Sequence, residues 1–323
     1  MLRHFEVKGS DYECGFQVGK AMKAATHRRI ERFVSSKIFA QCEKKLQTVE
    51  RACKKKYPRI LEQLRGIADG ANVDYRHLLL LNAAELREGV GGCTDIAEVR
   101  KDHISLSHNE DTGEGQDTRD NCALVTFHMP HITFTSFVYA GEPGGDAYNW
   151  NSHGFFFGVN YLVPFKGKVA LNRTPRDFTA RALIEAKSIS DALRILRSSP
   201  DASGYHYFMG QGKRLVSVEQ WRGTINVKEV KGVEVHANHY LRVKKNAPTE
   251  KSTSFRQKRA EQLVRQGVNG LNILTDRANA PYTICRLSKD NGLTLSTVQF
   301  LPLQKKVRIY TPGTLKQEYS FKL

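Results

Sequence analysis

No run of about 18 apolar residues occurs in this chain, and a membrane-spanning helix is not expected. The opening Met1-Leu2-Arg3-His4-Phe5-Glu6 holds no apolar run of signal-peptide length. Cysteine is sparse: Cys14, Cys42, Cys53, Cys93, Cys122 and Cys285 are scattered, with no C-x-x-C pair and no zinc-like spacing. That usage argues against a disulfide framework and for a reducing, cytoplasmic setting. H-x-x-x-H and H-E-x-x-H are absent as well, so neither a metal nor another cofactor is expected. There is no helix–turn–helix, zinc-finger or RNA-binding signature, no internal repeat and no low-complexity linker.

Acidic residues are in deficit. Asp and Glu total 33 against 50 Lys and Arg, a formal net charge of +17. Such a balance admits a nucleic acid, an anionic membrane surface or an acidic substrate such as a coenzyme A thioester. The charges are dispersed, however, and Lys54-Lys55-Lys56 and Lys244-Lys245 are only short clusters. A solvated basic surface is the simpler reading, with neither nucleic acid nor membrane as partner. With 40% hydrophobic and 26% charged residues, the 323-residue chain reads as globular and can bury a sizeable core.

Helical patterns come first. After a short alternating stretch at 1–8, Ser10 and Glu13 form a capping-box pair, and apolar positions continue through Ile30, Val34 and Ile38. Gly15 and Gly19 share a helix face, which lets another backbone lie close. A second helix is expected over 42–70, kinked or split at Pro58, and a third over 75–87. A Gly-rich turn at 89–92 ends this half. Short β-like runs follow at 103–107, 122–127, 132–139, 155–161 and 167–171, punctuated by turns such as Thr112-Gly113-Glu114-Gly115. A helix is expected over 178–196, and strands at 205–209, 214–219, 224–229 and 233–237. A basic helix at 255–266 and a hairpin of 294–301 with 306–310 across Pro302-Leu303-Gln304 complete the pattern. Helices, strands, helices and strands again imply an α+β fold in which helical layers cover antiparallel sheet.

The change of texture falls at Gly91-Gly92-Cys93-Thr94-Asp95. A Cys after a Gly-rich turn is commonly a buried thiol. A second reading is a self-cleavage site. The sulfur would attack the Gly92 carbonyl, form a thioester by N-to-S shift, and leave Cys93 as a new N-terminus. Gly92 suits this because glycine tolerates strained backbone angles and close approach. The freed α-amine, with a reference pKa of roughly 7.7–8.0, would serve as base to a thiol of about 8.5.

Several short motifs in one order resemble the acyl-coenzyme A:6-aminopenicillanate acyltransferase family of N-terminal nucleophile hydrolases. Tyr12-Glu13-Cys14-Gly15-Phe16-Gln17-Val18-Gly19 is similar to its Y-E-x-G-x-Q-x-G opening, and Gly92-Cys93-Thr94 to its cleavage site. His108-Asn109-Glu110-Asp111 is similar to N-x-D, with Asp111 eighteen residues beyond Cys93. Gly158-Val159-Asn160-Tyr161-Leu162 resembles G-x-N-x-L, Asn238-His239-Tyr240 resembles N-H-F/Y, and Ser254-Phe255-Arg256 resembles S-x-R.

The resemblance implies a four-layer αββα sandwich of residues 1–323, cut at 92/93 into a helical fragment 1–92 and a β fragment 93–323 that stay associated. It implies Cys93 as nucleophile, Asp111 beside the amine, the Asn160 backbone N–H and the Asn238 amide as oxyanion donors, and Arg256 holding the site's carboxylate. The substrate would be a small-molecule acyl amide or acyl-coenzyme A. The chain departs from the family at Asp95, where Thr is common and an extra acid would alter processing or favour a cationic substrate. It departs again at Glu110 and Thr112, where the family has aromatic residues. Alternatives are a family member without catalysis, or a basic protein that binds acidic partners or nucleic acid. His206, His236 and His239 also raise a Cys–His dyad.

Overall fold

The computed structural model describes residues 1–86, 92–113, 117–162, 172–199, 201–243, 249–287 and 292–323. Its first half is a strand and five helices: β1 (Arg3–Lys8), α1 (Asp11–Ala21), α2 (Lys23–Phe33), α3 (Ser36–Lys56), α4 (Pro58–Ala71) and α5 (Tyr75–Leu81). The Ser10–Glu13 capping box starts α1. The helical pattern expected to run on to Ile38 is broken at Met22 and again at Val34, and Ser35 caps α3 by accepting from the Ile38 N–H. Pro58 splits its segment rather than kinking it, because at the first turn of α4 its missing N–H costs no hydrogen bond.

The glycine face of α1 lies against α4 with backbone touching backbone. A Cβ built on Gly15 would fall 2.1 Å from the Gln63 carbonyl oxygen, and one on Gly66 would fall 2.1 Å from that of Tyr12. Any side chain at this crossing would force the two helices apart.

Two sheets follow. One has eight strands in the order β1-β4-β5-β6-β7-β8-β9-β10: β4 (Cys122–Met129), β5 (Ile132–Tyr139), β6 (Tyr148–Asn151), β7 (Phe155–Tyr161), β8 (Tyr205–Gln211), β9 (Arg214–Trp221) and β10 (Thr224–Glu229). Among the described strands of this sheet only β1 runs parallel to its neighbour, pairing with β4 from Arg3↔Ala123 to Lys8↔His128. The other is antiparallel, ordered β11-β2-β3-β12-β13-β14: β2 (Thr94–Val99), β3 (Ile104–Asp111), β11 (Gly232–His236), β12 (Thr294–Leu301), β13 (Lys306–Tyr310) and β14 (Gln317–Lys322). β12 and β13 form the expected hairpin across 302–304. The helix expected over 178–196 is two, α6 (Arg176–Leu183) and α7 (Ile189–Ser198), the second capped by Ser188. The basic helix is α8 (Lys251–Arg265), followed by a short α9 (Gly270–Ile273). Strands β2, β6 and β14 fall where none was expected.

Three apolar cores define four layers. The first joins helices α1–α7 to one face of the eight-stranded sheet, through residues such as Leu64, Leu79, Phe127 and Phe178. The second fills the seam between the sheets with Leu106, Val298 and Phe300 against Phe137, Tyr148 and Phe156. The third packs Ile96 and Val235 under Ala260 of α8 and Ile273 of α9. Helix, sheet, sheet, helix is the αββα sandwich that the sequence implied. Among the described residues no helix is long and apolar enough to cross a membrane, and all six cysteines are free and buried. Three expectations lie outside the described residues: the strand at 167–171, the Lys244-Lys245 cluster, and the turns at 89–92 and 112–115 apart from Gly92, Thr112 and Gly113.

Candidate active site

Cys93 immediately precedes β2, and strand alternation decides what surrounds it. Asp95 and Ala97 point into the seam between the sheets, while Thr94 and Ile96 face α8 and α9. In the antiparallel register Asp95 lies opposite His108 and Thr94 opposite Asn109. Cys93, Asp95, His108 and Glu110 therefore meet in the seam, whereas Asn109 and Asp111 of the same strand look to the α8–α9 side.

The backbone of Cys93 is held from that second side. Its N–H donates to Asn238 Oδ1 at 2.9 Å. Its carbonyl accepts from Arg256 Nη1 at 2.6 Å, and the same nitrogen reaches Thr94 Oγ1 at 2.8 Å. Arg256 Nη2 closes the ring by donating to Asn238 Oδ1 at 2.7 Å. Asn238 sits just past the end of β11 and its own amide donates to the Tyr161 carbonyl at 2.9 Å, so it stitches the end of β7 to the site. Burial, then the neighbouring Arg286, brings the Arg256 guanidinium down to about 9.

The sulfur points the other way. Only 5% of Cys93 is exposed, and Sγ lies 3.6 Å from Glu110 Oε2. That oxygen is 2.9 Å from His108 Nε2, and His108 Nδ1 is 2.6 Å from Asp95 Oδ1. Tyr139 donates to the other Glu110 oxygen at 2.6 Å. The result is a buried chain of thiol, carboxylate, imidazole and carboxylate. Burial, then the Glu110 carboxylate, pushes the Cys93 thiol up to about 12. Burial also works against a charged His108, but Asp95 and the bonds to Asp95, Cys93 and Glu110 outweigh it, and its pKa lies well above the usual imidazole range. Gly158 of β7 backs this chain: a Cβ there would come within 3.2 Å of both Asp95 Oδ1 and His108 Nδ1.

The site residues named from the sequence are thus only partly gathered. Cys93, Asn238 and Arg256 form one hydrogen-bonded ring. Asp111 is near enough for its charge to act on Cys93 and Arg256, yet Arg256 does not hold it. Its ion-pair partner is Arg286, with Nε 3.7 Å from Oδ2, and Thr294 donates to Oδ1 at 2.7 Å. Burial raises the Asp111 carboxyl to about 6 against the pull of both arginines. The Asn160 side chain turns away to His206 Nδ1 at 2.8 Å, and His206 stacks on His236 with ring centroids 3.5 Å apart. None of these bonds joins His206, His236 or His239 to the sulfur; His239 bonds Thr253. Asp95, the extra acid by which the chain departs from the family, is bonded to His108. Gly92 carries no left-handed φ; its role is spatial, since a Cβ there would lie 2.7 Å from Arg286 Nη2.

Sequence reading missed His108, Glu110, Tyr139 and Arg286. The signal for the first two was the pairing of His108 with Glu110 at strand period two, which has meaning only once β2 is known to lie beside β3.

Two sheets packed face to face between helical layers, with a thiol at the head of a strand in the seam, define an α+β fold of the N-terminal nucleophile hydrolase class. The family model described as acyl-coenzyme A:6-aminopenicillanic acid acyl-transferase matches residues 99–316, from the end of β2 onward and so downstream of Cys93. The chain belongs to this family. It is 25% identical over 336 residues to the 40 kDa form of acyl-coenzyme A:6-aminopenicillanic-acid-acyltransferase of Emericella nidulans, covering 95% of this chain and 92% of that protein. It is also 25% identical over 225 residues to beta-alanyl-dopamine/carcinine hydrolase of Drosophila melanogaster, a match spanning 59% of this chain and 56% of that protein's length. Similar solved structures include a Caenorhabditis elegans N-acylethanolamine-hydrolyzing acid amidase ortholog, with TM-score 0.49, 12% identity and coverage of 72% of this chain and 100% of that one. Another is a conjugated bile acid hydrolase from Clostridium perfringens, with TM-score 0.48, 12% identity and coverage of 72% and 92%.

Proposed function

We propose that this chain is a cysteine N-terminal nucleophile enzyme that opens its own 92–93 bond and then cleaves linear amides, or transfers acyl groups, through a Cys93 thioester. The observation that carries the reading is the clamp on Cys93: N–H to Asn238, carbonyl to Arg256, sulfur against Glu110. A residue held at both backbone polar atoms has its sulfur aimed in advance, which is what proximity catalysis needs.

In the unbroken chain the Cys93 nitrogen is a peptide amide and cannot act as a base. Glu110, backed by His108 and Asp95, is the group in contact with the sulfur and takes the thiol proton. The thiolate adds to the Gly92 carbonyl, the C–N bond breaks as the Cys93 nitrogen is protonated, and water hydrolyses the resulting thioester. After the cut the α-amine takes over as base, and Asn238 remains as its acceptor. The same sulfur then attacks the substrate carbonyl, with the Asn238 amide and the Asn160 backbone N–H as oxyanion donors. The acyl-enzyme passes to water or to an amine. One relative is by name a hydrolase of beta-alanyl-dopamine and carcinine and the other an acyltransferase between acyl-coenzyme A and 6-aminopenicillanic acid, which supports an acyl amide or acyl thioester as substrate; hydrolysis is favoured because water is always at hand. The two fragments remain together because β1 is paired along β4 and α1–α5 share one core with the eight-stranded sheet.

Mass spectrometry of the purified protein tests the first step: fragments 1–92 and 93–323 in the wild type, and an intact Cys93→Ala. An intact wild type would count against the proposal. A panel of acyl amides and acyl-coenzyme A thioesters, run with and without an added amine, then separates hydrolysis from transfer.

A further inference from the structure

We propose that Cys93, His108 and Glu110 form a binding site for a zinc-class divalent cation, and that such an ion switches the enzyme off by capping its sulfur. The three ligand atoms, Cys93 Sγ, His108 Nε2 and Glu110 Oε2, lie within 4.8 Å of one another and all three residues are buried. Sulfur, imidazole nitrogen and carboxylate oxygen are the donor set that zinc takes. Metal–ligand bonds of about 2.0–2.3 Å in a tetrahedron set donors roughly 3.3–3.7 Å apart. The sulfur–oxygen pair already stands at 3.6 Å, and the nitrogen–oxygen pair at 2.9 Å needs to open by only about 0.5 Å.

The atoms behind the ligands are placed as such a site requires. Asp95 accepts at His108 Nδ1, which fixes the tautomer that leaves Nε2 free to ligate. Tyr139 occupies Glu110 Oε1 and leaves Oε2 turned toward the sulfur. Gly158 gives this group its room. A dication that displaces one proton from His108 and one from the thiol leaves the buried charge unchanged, so it enters without a new desolvation penalty from net charge. The helical H-x-x-x-H spacing whose absence argued against a metal is irrelevant here, because His108 and Glu110 converge from alternate positions of a strand.

Metal binding does not depend on Cys93 being the nucleophile; the switching-off does, and rests on the function proposed above. The test uses full-length protein stripped with a chelator and kept reduced. Equilibrium dialysis against Zn²⁺ is expected to load one ion per chain, and Co²⁺ to give a thiolate-to-metal charge-transfer band. His108→Gln and Glu110→Gln should each weaken binding at least tenfold, Cys93→Ser should remove the band, and Cys42→Ser should leave it. A wild type that takes up no ion, or whose band is indifferent to these substitutions, overturns the site without appeal to any variant's folding. In the activity arm Zn²⁺ should abolish amide turnover and a chelator restore it. Turnover that survives saturating Zn²⁺ refutes the inference. An ion bound as described in a protein with no Cys93-dependent turnover would leave the site standing, and the proposed function and the switching-off would fall together.

Discussion

Arg256 is hydrogen-bonded to the carbonyl oxygen of Cys93 at 2.6 Å from within a fully buried position. One guanidinium fork thereby fixes the residue after the proposed scissile bond and, through Asn238, its amide nitrogen as well. Replacing it tests stability and chemistry together. Arg256→Ala leaves the Cys93 carbonyl and the Asn238 and Thr94 oxygens short of a donor, and should destabilise the fold by about 3–5 kcal/mol in urea unfolding. Measured in a Cys93→Ala background, that loss is free of any effect of cutting. Arg256→Lys should recover part of the stability and little of the cleavage, since one ammonium cannot reproduce the fork.

Glu110→Gln separates the two bases. It removes the acceptor of the thiol proton while keeping the shape. Self-cleavage should slow by roughly 10²–10⁴-fold, whereas turnover by molecules already cut, whose base is the α-amine, should fall much less. Timed mass spectrometry and turnover per cut molecule measure the two. Equal losses would mean that Glu110 serves both steps or neither.

Asp111 sets a pH dependence. Its carboxyl is raised from 3.8 to about 6, so the folded chain holds this proton more tightly than the unfolded one. The sign follows: its contribution favours the folded state at low pH and is withdrawn as pH climbs from about 4 to about 6, by up to roughly 3 kcal/mol. Urea unfolding across that interval should show the decline in the Cys93→Ala protein and a flatter profile with Asp111→Asn added. Self-cleavage should instead rise through pH 6, as the ionised Asp111 balances Arg286, and lose that limb in Asp111→Asn.

Gly158→Ala probes the seam. A methyl group 3.2 Å from both Asp95 Oδ1 and His108 Nδ1 must displace that pair by a few tenths of an ångström. Overpacking of this kind costs about 1–3 kcal/mol. Slower cleavage with normal folding by circular dichroism is expected; an unchanged cleavage rate would show that the pair's position is immaterial.

Much of the architecture could be read from local pattern. The Ser10–Glu13 cap, the glycine face of α1, the short β-like runs of β4, β5 and β7, and the β12–β13 hairpin all lie within a few residues of their cause. What escaped was set at a distance. Thr94–Val99 reads as a junction because it is buried on both faces, and only β3 and β11 on either side make it a strand. β6 has four residues, too few for a period, and the break between α6 and α7 falls inside one continuous apolar stripe. At the site, Cys93, Asn238 and Arg256 were found through short motifs. Glu110 and Asp95 looked like departures from the family pattern, and only the register of β2 on β3 reveals them as partners of one histidine. Arg286 carried no sequence signal at all, since its importance is a matter of what it lies against.

The pairing of β1 with β4 bears on renaturation. These strands come from opposite sides of the proposed cut, so a denatured sample of the processed enzyme contains two separate polypeptides. Recovery then requires an encounter between them and becomes second order, whereas an uncleavable chain such as Cys93→Ala regains its shape in a first-order process. Diluting the refolding mixture should slow the former and leave the latter untouched.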